Sequence, residues 1–170
     1  MDGVELEYRA LLGRIYAEKL VSDLGEFVIV FDNTPSCIAM ASVVAALSWA
    51  RGARARALSS TELSEEVDSA LLIMSPHVEG LGARAVSVLK KVKKFAALHT
   101  PVFYALDEAE GAEEALRGKE VRFAVRESPG EINFYKVHVE GGQALAELYD
   151  VYKLAPHEAA IVRRYEAQKG

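Results

Sequence analysis

Apolar side chains in the first two dozen residues recur at every third or fourth position: Tyr8, Leu11, Leu12, Ile15, Tyr16, Leu20 and Leu24. That spacing collects them on one face and predicts an amphipathic helix over residues 4–24, with Gly25 as its stop. Phe27-Val28-Ile29-Val30-Phe31 follows, an apolar run with no alternation, which suits a strand covered on both faces as in a parallel sheet. Asp32-Asn33-Thr34-Pro35-Ser36 is turn chemistry that ends in helix-capping residues. Small and apolar residues then dominate from Cys37 to Arg51, a closely packing helix that Gly52 ends. Ala53 to Leu58 reads as a strand, and Arg54 and Arg56 on one of its faces place it at a sheet edge. Ser59-Ser60-Thr61-Glu62 opens a brief helical turn, Ala70 to Met74 is a second fully apolar strand, and Ser75-Pro76-His77 is its exit loop. The pattern continues with a helix over 81–95, a strand from Thr100 to Leu106, an acidic helix from Asp107 to Arg117 stopped by Gly118, and a short strand from Val121 to Val125.

Strand, loop, helix, strand in repetition is the mark of crossover units on a parallel sheet. The expectation is an α/β fold, a doubly wound parallel sheet of about five strands with helices on both faces. Past Glu127 the regularity weakens. Ser128-Pro129-Gly130 is a turn, Ile132 to Val139 a strand or extended arm, and Gly141-Gly142 a break. A helix over 143–154 and another from Pro156 to Lys169 would make a helical elaboration, from about residue 131, on one domain spanning residues 1–170.

Composition narrows the classes. Hydrophobic residues make up 51% and charged residues 26%, the balance of a folded globule rather than a disordered or fibrous chain. A single cysteine, Cys37, excludes an internal disulfide and fits a reducing cytosol. No apolar run reaches the roughly 18 residues of a membrane span, and Met1-Asp2-Gly3 does not begin a secretory leader, so a cytoplasmic protein without membrane contact is expected. The net charge of −5 argues against a general polyanion binder and leaves only local, salt-sensitive DNA contact.

In open parallel sheets ligands bind outside the carboxyl ends of the strands. The loops to test are therefore 32–36, 59–62, 75–80 and 107–110. The first has no glycine and contains Pro35, so it cannot cradle a phosphate with its backbone; Gly80 and Gly82 read as flexibility at a helix start. Asp32, His77 and Asp107 all fall near strand ends, but one ordinary role apiece accounts for them: turn former, loop residue and helix N-cap. No metal and no cofactor is expected. Cys37 has no base near it in sequence and reads as a small buried hydrophobe, and Ser75 lacks the glycines of a nucleophile elbow. Two basic clusters, Arg51/Arg54/Arg56 and Lys90/Lys91/Lys93/Lys94, are the candidate contacts for DNA or a partner.

The order of elements resembles the DHH phosphoesterase superfamily in its RecJ-like branch, over roughly residues 26–154. In that family a first strand ends in His-x-Asp-x-Asp-Gly, a later one in aspartate and a still later one in Asp-His-His. Phe31-Asp32-Asn33-Thr34-Pro35 falls at the first motif, Leu71 to Ser75 at the second, and Val102 to Ala109 at the third; Val121 to Val125 and Gly142 to Leu148 fit the tail. Asp32 and Asp107 match acidic positions of the family. Val30 stands where a histidine is expected, Thr34 and Ser75 where aspartates are, and Glu108-Ala109 where the paired histidines are. A two-metal site needs a dense set of anionic and imidazole ligands, and these substitutions remove it. The resemblance therefore implies a catalytically degenerate member, of the cell division cycle protein forty-five or short archaeal RecJ-relative type. Such proteins are not enzymes but scaffolds at replication forks, with a GINS-type complex and the MCM helicase as partners. Tyr149, Tyr152 and Tyr165, outside the repeating pattern, are the candidate anchors of that interface. Two other resemblances rival it. A sugar-isomerase (SIS) domain shares the leading helix and crossovers, and Ser59-Ser60-Thr61-Glu62 is similar to its second loop. A small accessory subunit of the KEOPS tRNA-modification complex has a tail similar to Val151-Tyr152-Lys153-Leu154.

Overall fold

The Asp2 side chain accepts a hydrogen bond from the Glu5 amide at 2.9 Å and opens the first helix as an N-cap. From there the computed structural model, which describes residues 1–170, runs α1 (Gly3–Lys19), β1 (Glu26–Phe31), α2 (Pro35–Ala50), β2 (Arg54–Ser59) and β3 (Val67–Ile73). It continues α3 (Leu81–Leu89), β4 (Val92–Leu98), α4 (Thr100–Leu106), α5 (Ala112–Leu116), β5 (Glu120–Ser128), β6 (Glu131–Glu140), β7 (Gln143–Lys153) and α6 (Pro156–Lys169).

All strands join one sheet in the order β2-β1-β3-β4-β5-β6-β7. Pairing is parallel from β2 through β5 and antiparallel from β5 to β6 and β6 to β7. The unbroken apolar run of β1 is explained by two cores, one on each face. Phe27 and Ile29 point into a cluster with α1, α2 and α6, whereas Val28 and Val30 point into a cluster with α3, α4 and α5. Helix α1 lies against α2 closely enough that a Cβ on Gly13 would stand 3.0 Å from the Met40 carbonyl oxygen.

The fold is α/β, with β2 at an edge as its arginines require. The sheet, however, is mixed and has seven strands, where about five parallel ones were expected. Three segments account for the difference. The helix expected over 81–95 ends at Leu89; Lys90 and Lys91 make a turn, and Val92–Leu98 is β4. The strand expected from Thr100 to Leu106 is α4, whose Pro101 sits in the first turn, where proline fits a helix without loss of a hydrogen bond. The helix expected over 143–154 is β7, paired along its length with β6. Ala144, Leu145, Ala146, Glu147 and Leu148 favour a helix intrinsically, but the Gly141-Gly142 turn, with both residues at positive φ, folds them back onto an available strand edge. The elaboration after residue 131 is thus a β-hairpin followed by α6. The acidic helix from Asp107 to Arg117 is reduced to α5, which Gly111 at φ 80° precedes.

Candidate functional site

The chain leaves β1 through α2 to β2 on one side and reaches β3 on the other, so the strand order reverses at β1. Asp32, directly after β1, stands in the resulting crevice between the carboxyl ends of β1 and β3. It is buried and fully engaged. The Ser75 amide donates to Oδ2 at 2.7 Å, the Ser60 hydroxyl to Oδ1 at 2.9 Å, and Arg84 Nη1 to Oδ1 at 2.5 Å. Arg84 comes from α3 and is itself positioned by the Glu79 and Val78 carbonyls, at 3.0 and 3.1 Å. A guanidinium is permanently charged and presents its donors in a rigid fork. It supplies Asp32 with the positive charge that a metal ion would supply in a metal-dependent enzyme. Thr34 caps α2 by accepting from the Cys37 amide at 3.3 Å. Burial pushes the Cys37 thiol above its ordinary pKa, which makes it the packing residue its sequence context implies.

Asp107 does not join this crevice. It is the exposed C-cap of α4, neither the end of a strand nor the N-cap of the next helix, which Gly111 opens. His77 is exposed in the loop after β3, and nowhere do three His, Cys, Asp or Glu side chains converge on a point that could hold a metal ion. The strand standing third is β4, which ends at Leu98 and delivers His99. His99 is buried beside Tyr16, ring centroids 5.9 Å apart. Burial, helped by the nearby Arg9 charge, pulls its pKa down to about 3, so the imidazole is neutral at any ordinary pH.

The basic clusters lie at the opposite, amino end of the parallel strands and are largely neutralised. Arg56 pairs with Glu65 at 3.0 Å, Lys93 with Glu66 and Lys94 with Asp68, both at 2.7 Å. Arg51 donates to the Ala17 carbonyl at 2.8 Å and faces Glu18 at 3.7 Å; Lys91 donates to the Leu63 carbonyl. Only Arg54 and Lys90 carry neither an ion pair nor a side-chain hydrogen bond.

The three tyrosines chosen as partner anchors are spent inside the molecule. Tyr149 donates to the Lys19 carbonyl at 3.0 Å. Tyr152 accepts from Arg14 at 3.0 Å and donates to Glu158 at 2.9 Å. Tyr165 stacks on Tyr8 with centroids 4.0 Å apart and accepts from Arg9 at 3.1 Å. Together they fasten β7 and α6 to α1. The exposed apolar side chains of this region are instead Leu145, Leu148 and Val151 on β7, the free edge of the sheet.

Comparison of the sequence with protein-family models and with curated proteins finds no match. The site rests on geometry alone, and sequence reasoning missed two of its residues. His99 follows the apolar run Phe95–Leu98, which would have marked a strand end had Lys93 and Lys94 not read as a helix terminus. Arg84 carries no sequence signal: it lies 52 positions from Asp32 and meets it only through the crossover.

Proposed function

We propose that this chain is a non-catalytic RecJ-like module of the DHH type that acts as a scaffold at the replication fork, with a GINS-type complex as its direct partner and the MCM helicase as neighbour. The observation that carries the proposal is the Arg84–Asp32 pair, which fills the crevice with the protein's own cation. Further support comes from the first two motif positions: Asp32 follows β1 and Ser75 follows β3, whereas Val102 to Ala109, matched to the third motif, lies on α4 and just after it, so Asp107 brings no ligand to the crevice. Holding two cations a few ångströms apart requires several carboxylates and imidazoles aimed at one point. Asp32 has its oxygens committed to Arg84, Ser60 and Ser75, and His99 is a buried neutral ring.

A fold kept without its chemistry is most simply kept for its surface. The surface we assign is the β6–β7 hairpin, where Leu145, Leu148 and Val151 are 52%, 50% and 37% exposed beside unpaired edge backbone. Apolar side chains on a free edge suit a partner that adds a strand. The test is calorimetric titration of the chain with the GINS complex of its own host, alongside a single-strand nuclease assay with manganese. Saturable association that Leu148→Glu weakens at least tenfold, without nucleotide release, is the expected result. Turnover that disappears in Asp32→Ala, or no association with the intact protein, would overturn the proposal.

A further inference from the structure

A cavity of about 480 Å³ lies between α1, α6 and the carboxyl ends of β3, β4 and β5. Its wall carries Arg9, Arg126, Lys169, His77 and His99 and no aspartate or glutamate, although the chain as a whole is acidic. Three nitrogens on this wall are buried and without a hydrogen-bond partner: Arg9 Nε, Arg126 Nη1 and His99 Nδ1. More than nine in ten buried polar groups in folded proteins are satisfied, so three orphans on one cavity mark a place where partners are missing. The fourth orphan side-chain atom in the molecule, Asn133 Oδ1, is not on this wall.

The two arginines are already fixed in place. Arg9 donates to Glu5 at 3.5 Å and to Tyr165 at 3.1 Å, and its guanidinium stands 5.5 Å from the centroids of both stacked rings, Tyr8 and Tyr165. Arg126 is tied to Glu166. Neither carboxylate lines the cavity, so the remaining donors of each arginine are free for an acceptor inside it. The first residues of α2, Ser36 and Cys37, belong to the same wall, and the positive end of this 16-residue helix adds to the field. His99 is different in kind. It is only 6% exposed, a neutral ring whose Nδ1 has no partner. The missing partners of Arg9 and Arg126 are acceptors.

We infer that this cavity binds a small phosphate ester, the phosphate oxygens accepting from Arg9 and Arg126. Lys169 at the rim matches the second charge of a phosphate, which a carboxylate lacks. Inorganic phosphate alone would leave most of the volume empty, since pockets of some 300–1,000 Å³ hold small organic molecules. Leu12, Met40, Met74 and Ile132 offer the body of the ester an apolar wall. The inference does not depend on the scaffold proposal. Leu145, Leu148 and Val151 do not line this cavity, so failure of partner association leaves it standing.

Calorimetric titration of the full chain with inorganic phosphate, ribose 5-phosphate and ribose tests it. Ribose 5-phosphate should bind, phosphate should bind more weakly, and ribose should give no heat at millimolar concentration. Arg126→Gln and Arg9→Gln should each weaken ribose 5-phosphate at least tenfold. Arg54→Gln, which removes an unpaired cation at the far end of the sheet, should change nothing. If Arg9→Gln fails to fold, Arg126→Gln carries the test, since its guanidinium is held by a single exposed ion pair. No heat from either phosphate compound, or the same loss in Arg54→Gln as in Arg126→Gln, would overturn the inference.

Discussion

At the scale of single residues, two buried groups carry most of what distinguishes this molecule. Asp32 is 4% exposed and its charge is balanced by one guanidinium. Removing one partner of a buried pair leaves an uncompensated charge, which costs about 3 kcal/mol or more. Arg84→Ala should therefore lower the unfolding free energy by about that amount, and Asp32→Asn added to it should restore part of the loss. Denaturant titration of the two variants decides it; an Arg84→Ala protein as stable as the parent would mean that the pair does not hold the crevice. His99 makes an independent prediction. Its folded pKa of about 3 lies below that of an unfolded histidine. Between those two values the unfolded chain binds a proton that the folded one does not, so stability falls as pH falls through this window. The slope from this one group approaches about 1.4 kcal/mol per pH unit. Asp23, whose pKa is lowered by its hydrogen bonds from Arg122, acts in the same direction at lower pH. Unfolding free energies measured at pH 7 and pH 5 should differ by about 2 kcal/mol in the parent and by clearly less in His99→Asn. Equal differences in both proteins would place the acid sensitivity elsewhere.

At the scale of elements, close approach and strand pairing decide what propensity alone cannot. Gly82 reads in sequence as flexibility at a helix start, but it is where α3 meets α4: a Cβ there would stand 2.6 Å from the Ala105 carbonyl oxygen. Gly82→Ala should destabilise by about 1–3 kcal/mol through overpacking, whereas Gly3→Ala, which meets nothing, should not. Thermal melts of both check this. Elements whose local pattern is unambiguous are legible from the chain: α1, β1, α2, β2, β3, β5, β6 and α6. Those misread are the ones where a local signal outweighed a distant one. Pro101 opens a helix inside an apolar run that reads as a strand, the Lys93-Lys94 pair disguises β4, and helix-forming residues in β7 give no hint of pairing with β6. The candidate site suffered in proportion. Asp32 stands out in the sequence because it ends an unmistakable strand; the strand end that the pattern assigns to Asp107 does not exist, and the one that delivers His99 is masked by the lysines before it. The tyrosines of the C-terminal segment were legible as aromatic anchors, but the helix they anchor to, α1, lies more than a hundred residues earlier.

At the scale of the whole molecule, the parts divide by edge and end. The amino ends of the parallel strands carry paired charges, Arg56–Glu65, Lys93–Glu66 and Lys94–Asp68, that offer little to a polyanion. Any DNA contact should accordingly be weak and fade steeply with salt; sub-micromolar affinity at high salt would contradict that distribution of charge. The carboxyl ends hold the Asp32 crevice, and the β7 edge presents the exposed side chains of Leu145, Leu148 and Val151. Isolation of the tagged chain from its native host, with its bound proteins identified by mass spectrometry and the Leu148→Glu variant isolated in parallel, tests the scaffold reading most directly. The account predicts GINS and MCM subunits with the parent chain and their loss from the variant. Recovery with sugar-phosphate enzymes or tRNA-modification subunits in their place, or the same partners with both proteins, would contradict it.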